Sequence, residues 1–152
     1  MVLIFARASF LDNVCSGCKD KAFCMRVLGS DPRSPNAGYD ELAGIAIELA
    51  SASATATRPK ILSLLRSAKD PQLISNFQTC NENYGNALDS LRRAPESLKR
   101  RDYVDLHLQG DTVFEEVYQC EHVFKSGSPL TNENYRLEQL GIIIGVIASD
   151  AK

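Results

Sequence analysis

Three cysteines crowd into the stretch "VCSGCKDKAFC", residues 14–24. Cys15 and Cys18 form a C-x-x-C pair, the spacing of half a zinc site or of a redox motif. Cys15 and Cys24 could instead close a small disulfide-bonded hairpin. Two more cysteines, Cys80 and Cys120, stand alone in the chain. A zinc site needs four ligands, with a second pair at a sensible spacing. Cys80 and Cys120 are isolated from each other, and His107 and His122 form no H-x-x-x-H arrangement. A thioredoxin-like motif needs a βαβ setting, which the chain does not offer. Neither a metal, nor redox catalysis, nor a cofactor is expected.

Other catalytic arrangements fare no better. Nucleophilic catalysis needs a nucleophile, a base and an orienter that converge. His107 and His122 fall on one predicted helix, about four turns apart, and match no nucleophile. Both are expected to be exposed. Asp40-Glu41 and Glu115-Glu116 are adjacent pairs, so they splay apart on a helix and read as solvated faces. No glycine-rich phosphate loop follows a strand. The chain reads as a binding protein rather than an enzyme.

Composition narrows the partners. The chain has 152 residues, a one-domain length that can build a core without metals. Its 44% hydrophobic and 24% charged residues mark a globular protein rather than a disordered one. A net charge of −2 gives no pull toward nucleic acid or an anionic membrane. The basic clusters "LRRAP" and "LKRRD" are short and read as solvated helix ends. The longest apolar run, "GIIIGVIA" at 141–148, is far below the ~20 residues a spanning helix needs. Residues 1–8 end in Ala6-Arg7-Ala8 and read as the remnant of a secretory signal, or else as an N-terminal arm.

The elements that must position these groups are helical nearly throughout. "SFLDNVC" and "KDKAFCMRVLG" predict two short helices, the second ending at Gly29. "SDPRSPNAG" is turn chemistry. A long helix follows from Tyr39 to Ala68, with a kink or break expected at Pro59. Asp70-Pro71 caps the next, which runs to about Arg93. After a break at Pro95, a third spans about Glu96 to Lys125. "SGSPLTN" is a loop, and the last helix covers about Glu133 to Ser149. The fold class is therefore all-α: an up-down-up-down four-helix bundle preceded by a short helical hairpin.

Helix faces then sort the isolated cysteines. Leu73, Phe77, Cys80, Tyr84, Ala87 and Leu91 recur at steps of three and four. Leu106, Val113, Val117, Cys120 and Phe124 do the same on the next helix. Cys80 and Cys120 thus sit on core stripes of adjacent antiparallel helices, where a disulfide forms if the Cα atoms approach within about 7 Å. Bridges Cys15–Cys24 and Cys80–Cys120 would use four of the five cysteines and imply an oxidising compartment. Chain entropy makes the short loop worth roughly 2.7 kcal/mol and the long one roughly 3.9 kcal/mol.

From about Phe10 to Ala148 the chain resembles the plant invertase and pectin methylesterase inhibitor domain. The resemblance is carried by Cys15 and Cys24, "VLGSDPRS" (27–34), "CNENYGNALDSL" (80–91), "RDY" (101–103) and "QCEHVF" (119–124). In that family the first two cysteines close the N-terminal hairpin and the other two tie bundle helices together. The resemblance makes the opening stretch a staple. It also implies one inhibitor domain over 9–152, with the hairpin at 9–29 and the bundle at 39–149. Cys18 departs from the pattern, since the family usually has a non-cysteine there. It is expected to be a free thiol.

Glu82, Asn86, Asp89 and Arg93 step by four, three and four, opposite the Cys80 stripe. By itself such a stripe reads as a solvated face. Resembling inhibitors of pectin methylesterase use polar and acidic residues here to cover the enzyme's pectin-binding cleft. The resemblance therefore nominates Glu82, Asn86 and Asp89, with Gln119 beside them, as target-binding residues. Asn86 stands where an acidic residue often occurs, and Gln119 where a threonine can occur. The invertase-directed branch carries Pro-Lys-Phe before the fourth cysteine, and Tyr103-Val104-Asp105 replaces it here. Pectin methylesterase is the expected partner, in a non-covalent one-to-one complex with a chain that is monomeric when free. The alternatives are acid invertase, or a secreted bundle with no enzyme target. The expected location is the extracellular cell wall, or the vacuole if invertase is the target.

Overall fold

The computed structural model describes residues 9–152, and every regular element in them is helical. The expectation for residues 1–8 lies outside the described residues. α1 (Phe10–Ser16) and α2 (Lys21–Gly29) make the hairpin, and a short 3₁₀ turn at Ser34–Asn36 follows. Then come α3 (Tyr39–Ser67), α4 (Pro71–Lys99), α5 (Tyr103–His122) and α6 (Thr131–Asp150). Each long helix packs on two others, in the ring α3–α4–α5–α6 and back to α3. The hairpin leans on α6 and on the start of α3. The all-α bundle with its leading hairpin and two disulfides is the fold expected from the sequence.

Helix starts are written locally. The Ser9 side chain accepts the Asp12 N–H, Asp20 accepts that of Phe23, and Asp70 accepts that of Gln72. Each cap satisfies a donor that the first turn leaves unpaired.

Several helix boundaries differ from expectation. Pro59 and Pro95 lie inside continuous helices, so α4 runs to Lys99 and α5 begins at Tyr103 rather than Glu96. Both prolines are on exposed positions, where the ring has room. Beyond Pro95 the helix is held by burial: Ala94 and Ser97 are fully enclosed. Its end is a Schellman turn. The Asp102 N–H reaches Ser97 O at 2.9 Å and the Arg101 N–H reaches Leu98 O at 3.0 Å. Arg101 takes φ 53°, the position glycine usually occupies in this turn. Asp102 then caps α5 by accepting the Asp105 N–H at 3.0 Å. At its other end α5 stops at His122 rather than Lys125.

The core is aliphatic and continuous, with Leu42, Ile45, Ile61, Leu106, Leu137 and Ile144 almost wholly enclosed. Each such side chain contributes about 1.5–3 kcal/mol by leaving water. The one large polar side chain at the centre is Tyr84. Its hydroxyl donates to Asn134 Oδ1 at 2.8 Å, and burial keeps it a neutral phenol by raising its pKa. Leu73 departs from the expected core stripe. It is 39% exposed and lines an open groove between the first turn of α4 and the segment after α5.

The cysteines pair as Cys15–Cys24 and Cys80–Cys120, with Cα atoms 5.3 and 4.7 Å apart. All four are buried. The first bridge joins α1 to α2, and the second joins α4 to α5.

Candidate functional site

On α4, the face opposite Cys80 is open. Glu82, Asn86, Asp89 and Arg93 are all exposed, on the side of the helix away from the buried Tyr84–Ala87–Leu91 line. Asp89 pairs with Arg92 one turn on. Gln119 is also exposed, but it belongs to α5. The structure brings it to the α4 stripe through residues that the sequence reading did not nominate.

Those residues are Asn83 and Glu116. Asn83 lies in the α4–α5 seam and is 4% exposed. Its Nδ2 donates to Glu116 Oε2 and to Gln119 Oε1, both at 2.8 Å. Asn86 Nδ2 reaches the same Glu116 oxygen at 3.3 Å. Glu116 was expected to be part of a solvated pair. It is instead half-buried and holds two amides of the neighbouring helix. A signal for Asn83 exists in the sequence. Asn76, Asn83, Ser90 and Ser97 recur every seven residues, and all are buried on α4. A seven-residue recurrence keeps one helix in register with a neighbour. Small polar residues at that period mark a seam rather than a solvent face.

Beside this seam lies an open groove of about 750 Å³, lined in part by Asp89, Arg93, Arg100 and Leu108. Its floor is polar: the Ser97 hydroxyl donates to Asp105, tying the last turn of α4 to the first turn of α5. Of Tyr103, Val104 and Asp105, the positions expected to replace Pro-Lys-Phe, Asp105 lines this groove. The Tyr103 hydroxyl donates to Asp40 at 2.6 Å, and Asp105 is held by Ser97 and the Asp102 cap. Val104 alone points outward, 70% exposed.

One constellation looks catalytic. His107, expected to be exposed, is half-buried between α5 and α6. Its Nδ1 lies 3.1 Å from Ser149 Oγ and its Nε2 3.2 Å from Asp111. A general base must offer a lone pair to the nucleophile. Here Nδ1 also faces the Gly145 carbonyl at 3.0 Å, which requires an N–H on that nitrogen. The nitrogen beside Ser149 therefore donates and cannot take its proton. The set is a clasp between α5 and α6. His122 is exposed as expected and stacks on Tyr118.

Cys18 lies off this face, in the hairpin. Its sulfur donates to Val14 O at 3.3 Å and stands 3.8 Å from Cys24 Sγ. Burial, helped by the Asp150 charge, pushes the thiol up to about 11. Among the described residues no group of three or more His, Cys, Asp or Glu could hold a metal ion, and no helix is long and apolar enough to cross a membrane.

Residues 9–144 match the family described as plant invertase/pectin methylesterase inhibitor. The chain belongs to this family. The family is described by the enzymes its members inhibit. A pectinesterase inhibitor of Actinidia deliciosa is 34% identical over 149 residues, covering 95% of this chain and 80% of the relative. A cell wall / vacuolar inhibitor of fructosidase 2 from Arabidopsis thaliana is 32% identical over 120 residues, covering 77% and 66%. The fold matches the crystal structure of mutant form A of a pectin methylesterase inhibitor from Arabidopsis. The TM-score is 0.84 at 22% identity, over 93% of this chain and 96% of that one.

Proposed function

We propose that this family member inhibits pectin methylesterase by a reversible one-to-one complex that occludes the enzyme's active cleft. The contact is the outer face of α4 with the adjoining edge of α5: Glu82, Asn86, Asp89 and Gln119. The observation that carries the reading is that these four side chains form one exposed surface across two helices joined by a disulfide. Such a surface is rigid before it binds, so little ordering entropy opposes association. An interface of this kind buries about 1,600 Å² in total.

Acid invertase is the second reading, supported by the relative named for fructosidase inhibition. The α4–α5 turn favours the first. At the positions where invertase-directed relatives carry Pro-Lys-Phe, Tyr103 and Asp105 are committed to contacts within the bundle. Only Val104 is free to meet a partner. Two disulfides fit secretion into an oxidising cell-wall space, or the vacuole if invertase is the target. The free chain is read as a monomer. The test is titration of the oxidised protein against a plant pectin methylesterase and an acid invertase in parallel. Inhibition of the esterase at stoichiometric inhibitor supports the proposal. Inhibition of invertase alone moves the target, and inhibition of neither overturns both readings.

A further inference from the structure

We infer that Asn83 and Glu116 are positioning residues that fix which end of two surface amides faces a partner. The Glu116 carboxylate offers only acceptors. The Asn83 atom 2.8 Å from it is therefore the amide nitrogen, not the oxygen. That same nitrogen contacts Gln119 2.8 Å away, so Gln119 must turn its oxygen inward. Its NH2 group, with both hydrogens, is left facing outward. Asn86 is set the opposite way. Its nitrogen is drawn to Glu116 at 3.3 Å, so its oxygen is the outward end. Glutamine and asparagine on a surface ordinarily rotate freely and present either end. Here charge and hydrogen bonding choose the end, and both hydrogens of Asn83 Nδ2 are spent on doing so.

The consequence is a donor–acceptor code on the contact face. A partner fits when it places a hydrogen-bond acceptor opposite Gln119 and a donor opposite Asn86. A partner with the reverse pattern meets like against like, and the clamp prevents the amides from rotating to accommodate it. The inference rests on the proposed contact face, but the clamp itself is a property of the free protein.

Two measurements test it. In the free protein, side-chain ¹⁵N relaxation should show the Gln119 NH2 ordered, with S² near about 0.8, falling below about 0.6 in Asn83→Ala. A mobile Gln119 amide in the wild type overturns the clamp. Against the inhibited enzyme, Gln119→Ala and Asn83→Ala should each weaken inhibition about tenfold. The double variant should also lose about tenfold rather than a hundredfold, because Asn83 acts through Gln119. A hundredfold loss overturns the positioning role. Glu116→Ala, at a half-exposed site, supplies the same arm if Asn83→Ala fails to fold; it should free both amides and weaken inhibition at least tenfold. An ordered amide with no inhibition of either enzyme overturns the target assignment and supports the clamp.

Discussion

Gly110 of α5 and Gly141 of α6 meet backbone to backbone: a β-carbon on either would lie 2.8 Å from the carbonyl oxygen of the other. Next to them, a β-carbon on Gly110 would also fall 3.0 Å from the Gly145 nitrogen, and one on Gly141 3.0 Å from the Phe114 nitrogen. Backbone atoms inside two packed helices cannot step aside. Gly110→Ala and Gly141→Ala should therefore each destabilise by about 2 kcal/mol or more, read by thermal or urea melts. Gly145→Ala is the internal control. Its β-carbon would meet nothing closer than 3.6 Å, and alanine favours the helix by about 1 kcal/mol. It should melt no lower than wild type. Equal losses at all three sites would show that the close approach is not the cause.

The α4–α5 turn offers a stabilising change. Arg101 adopts φ 53° without being glycine, at a cost of about 1 kcal/mol. Its one ionic contact, to Asp40 at 3.6 Å, is largely exposed and is worth little. Arg101→Gly should raise the melting temperature by a few degrees. A drop would mean that the guanidinium holds the turn.

Cys18 should be sluggish at neutral pH and reactive in base. With its thiol near 11, iodoacetamide should label the native protein at pH 8 roughly a hundredfold more slowly than an ordinary cysteine of pKa about 8.5. At high pH the thiolate stands 3.8 Å from Cys24 Sγ. Its attack forms a Cys18–Cys24 bond, breaks Cys15–Cys24, and leaves Cys15 as the thiolate, which then takes up a proton. Non-reducing peptide maps after incubation near pH 11 should show that pair, and Cys18→Ser should show none. Fast labelling at pH 8 would contradict the burial argument.

Charge reversal on the outer stripe should separate binding from folding. Glu82→Lys with Asp89→Lys alters exposed positions only, so helical circular dichroism and melting should stay near wild type. Like charges brought into an interface cost several kcal/mol. Inhibition of pectin methylesterase should weaken at least about tenfold, ~1.4 kcal/mol. Asp40 would be a poor control, since it accepts the Tyr103 hydroxyl. Glu41→Lys, exposed on α3, should leave inhibition unchanged. If the reversed stripe inhibits as well as wild type, the contact face is elsewhere.

Stability should fall at an acid limb set partly by Asp31. Hydrogen bonds from the Arg33 guanidinium and backbone N–H hold its carboxyl down at about 2. An aspartate lowered on folding contributes fully above its unfolded pKa of about 3.9 and loses that contribution as pH falls through its folded value. Melting temperatures of wild type and Asp31→Asn should therefore differ most above pH 4 and converge between about pH 4 and pH 2. A constant gap across that window would assign the acid limb to other carboxylates.

How far the sequence spoke depends on what each residue had to signal. The core stripes through Cys80 and Cys120 repeat at helical spacing, so the bundle and the bridge between those helices could be read directly. Pro95 misled because the rule for proline concerns an isolated helix. Burial of Ala94 and Ser97, and a Schellman end built on arginine instead of glycine, outweighed it. Gly110 and Gly141 carry no side chain, so a reading of apolar periodicity passed over this backbone-to-backbone contact. Asn83 and Glu116 were missed for another reason. A polar residue on a helix reads as solvated until its neighbour across the seam is known, and only the seven-residue recurrence from Asn76 to Ser97 hinted otherwise.

The covalent and buried devices that hold α4 and α5 in place face inward or sideways: the Cys80–Cys120 bridge, the glycine contact with α6, and the Ser97–Asp105 bond. None draws on Glu82 or Asp89, and Asn86 and Gln119 add only edge hydrogen bonds to the seam. Folding and recognition therefore place largely separate demands on the same two helices. Substitutions on the outer stripe are cheap in stability, so selection can rewrite that face without first finding compensating changes in the core. A scaffold partitioned in this way can diverge toward new targets by a short path of surface changes, each of them foldable.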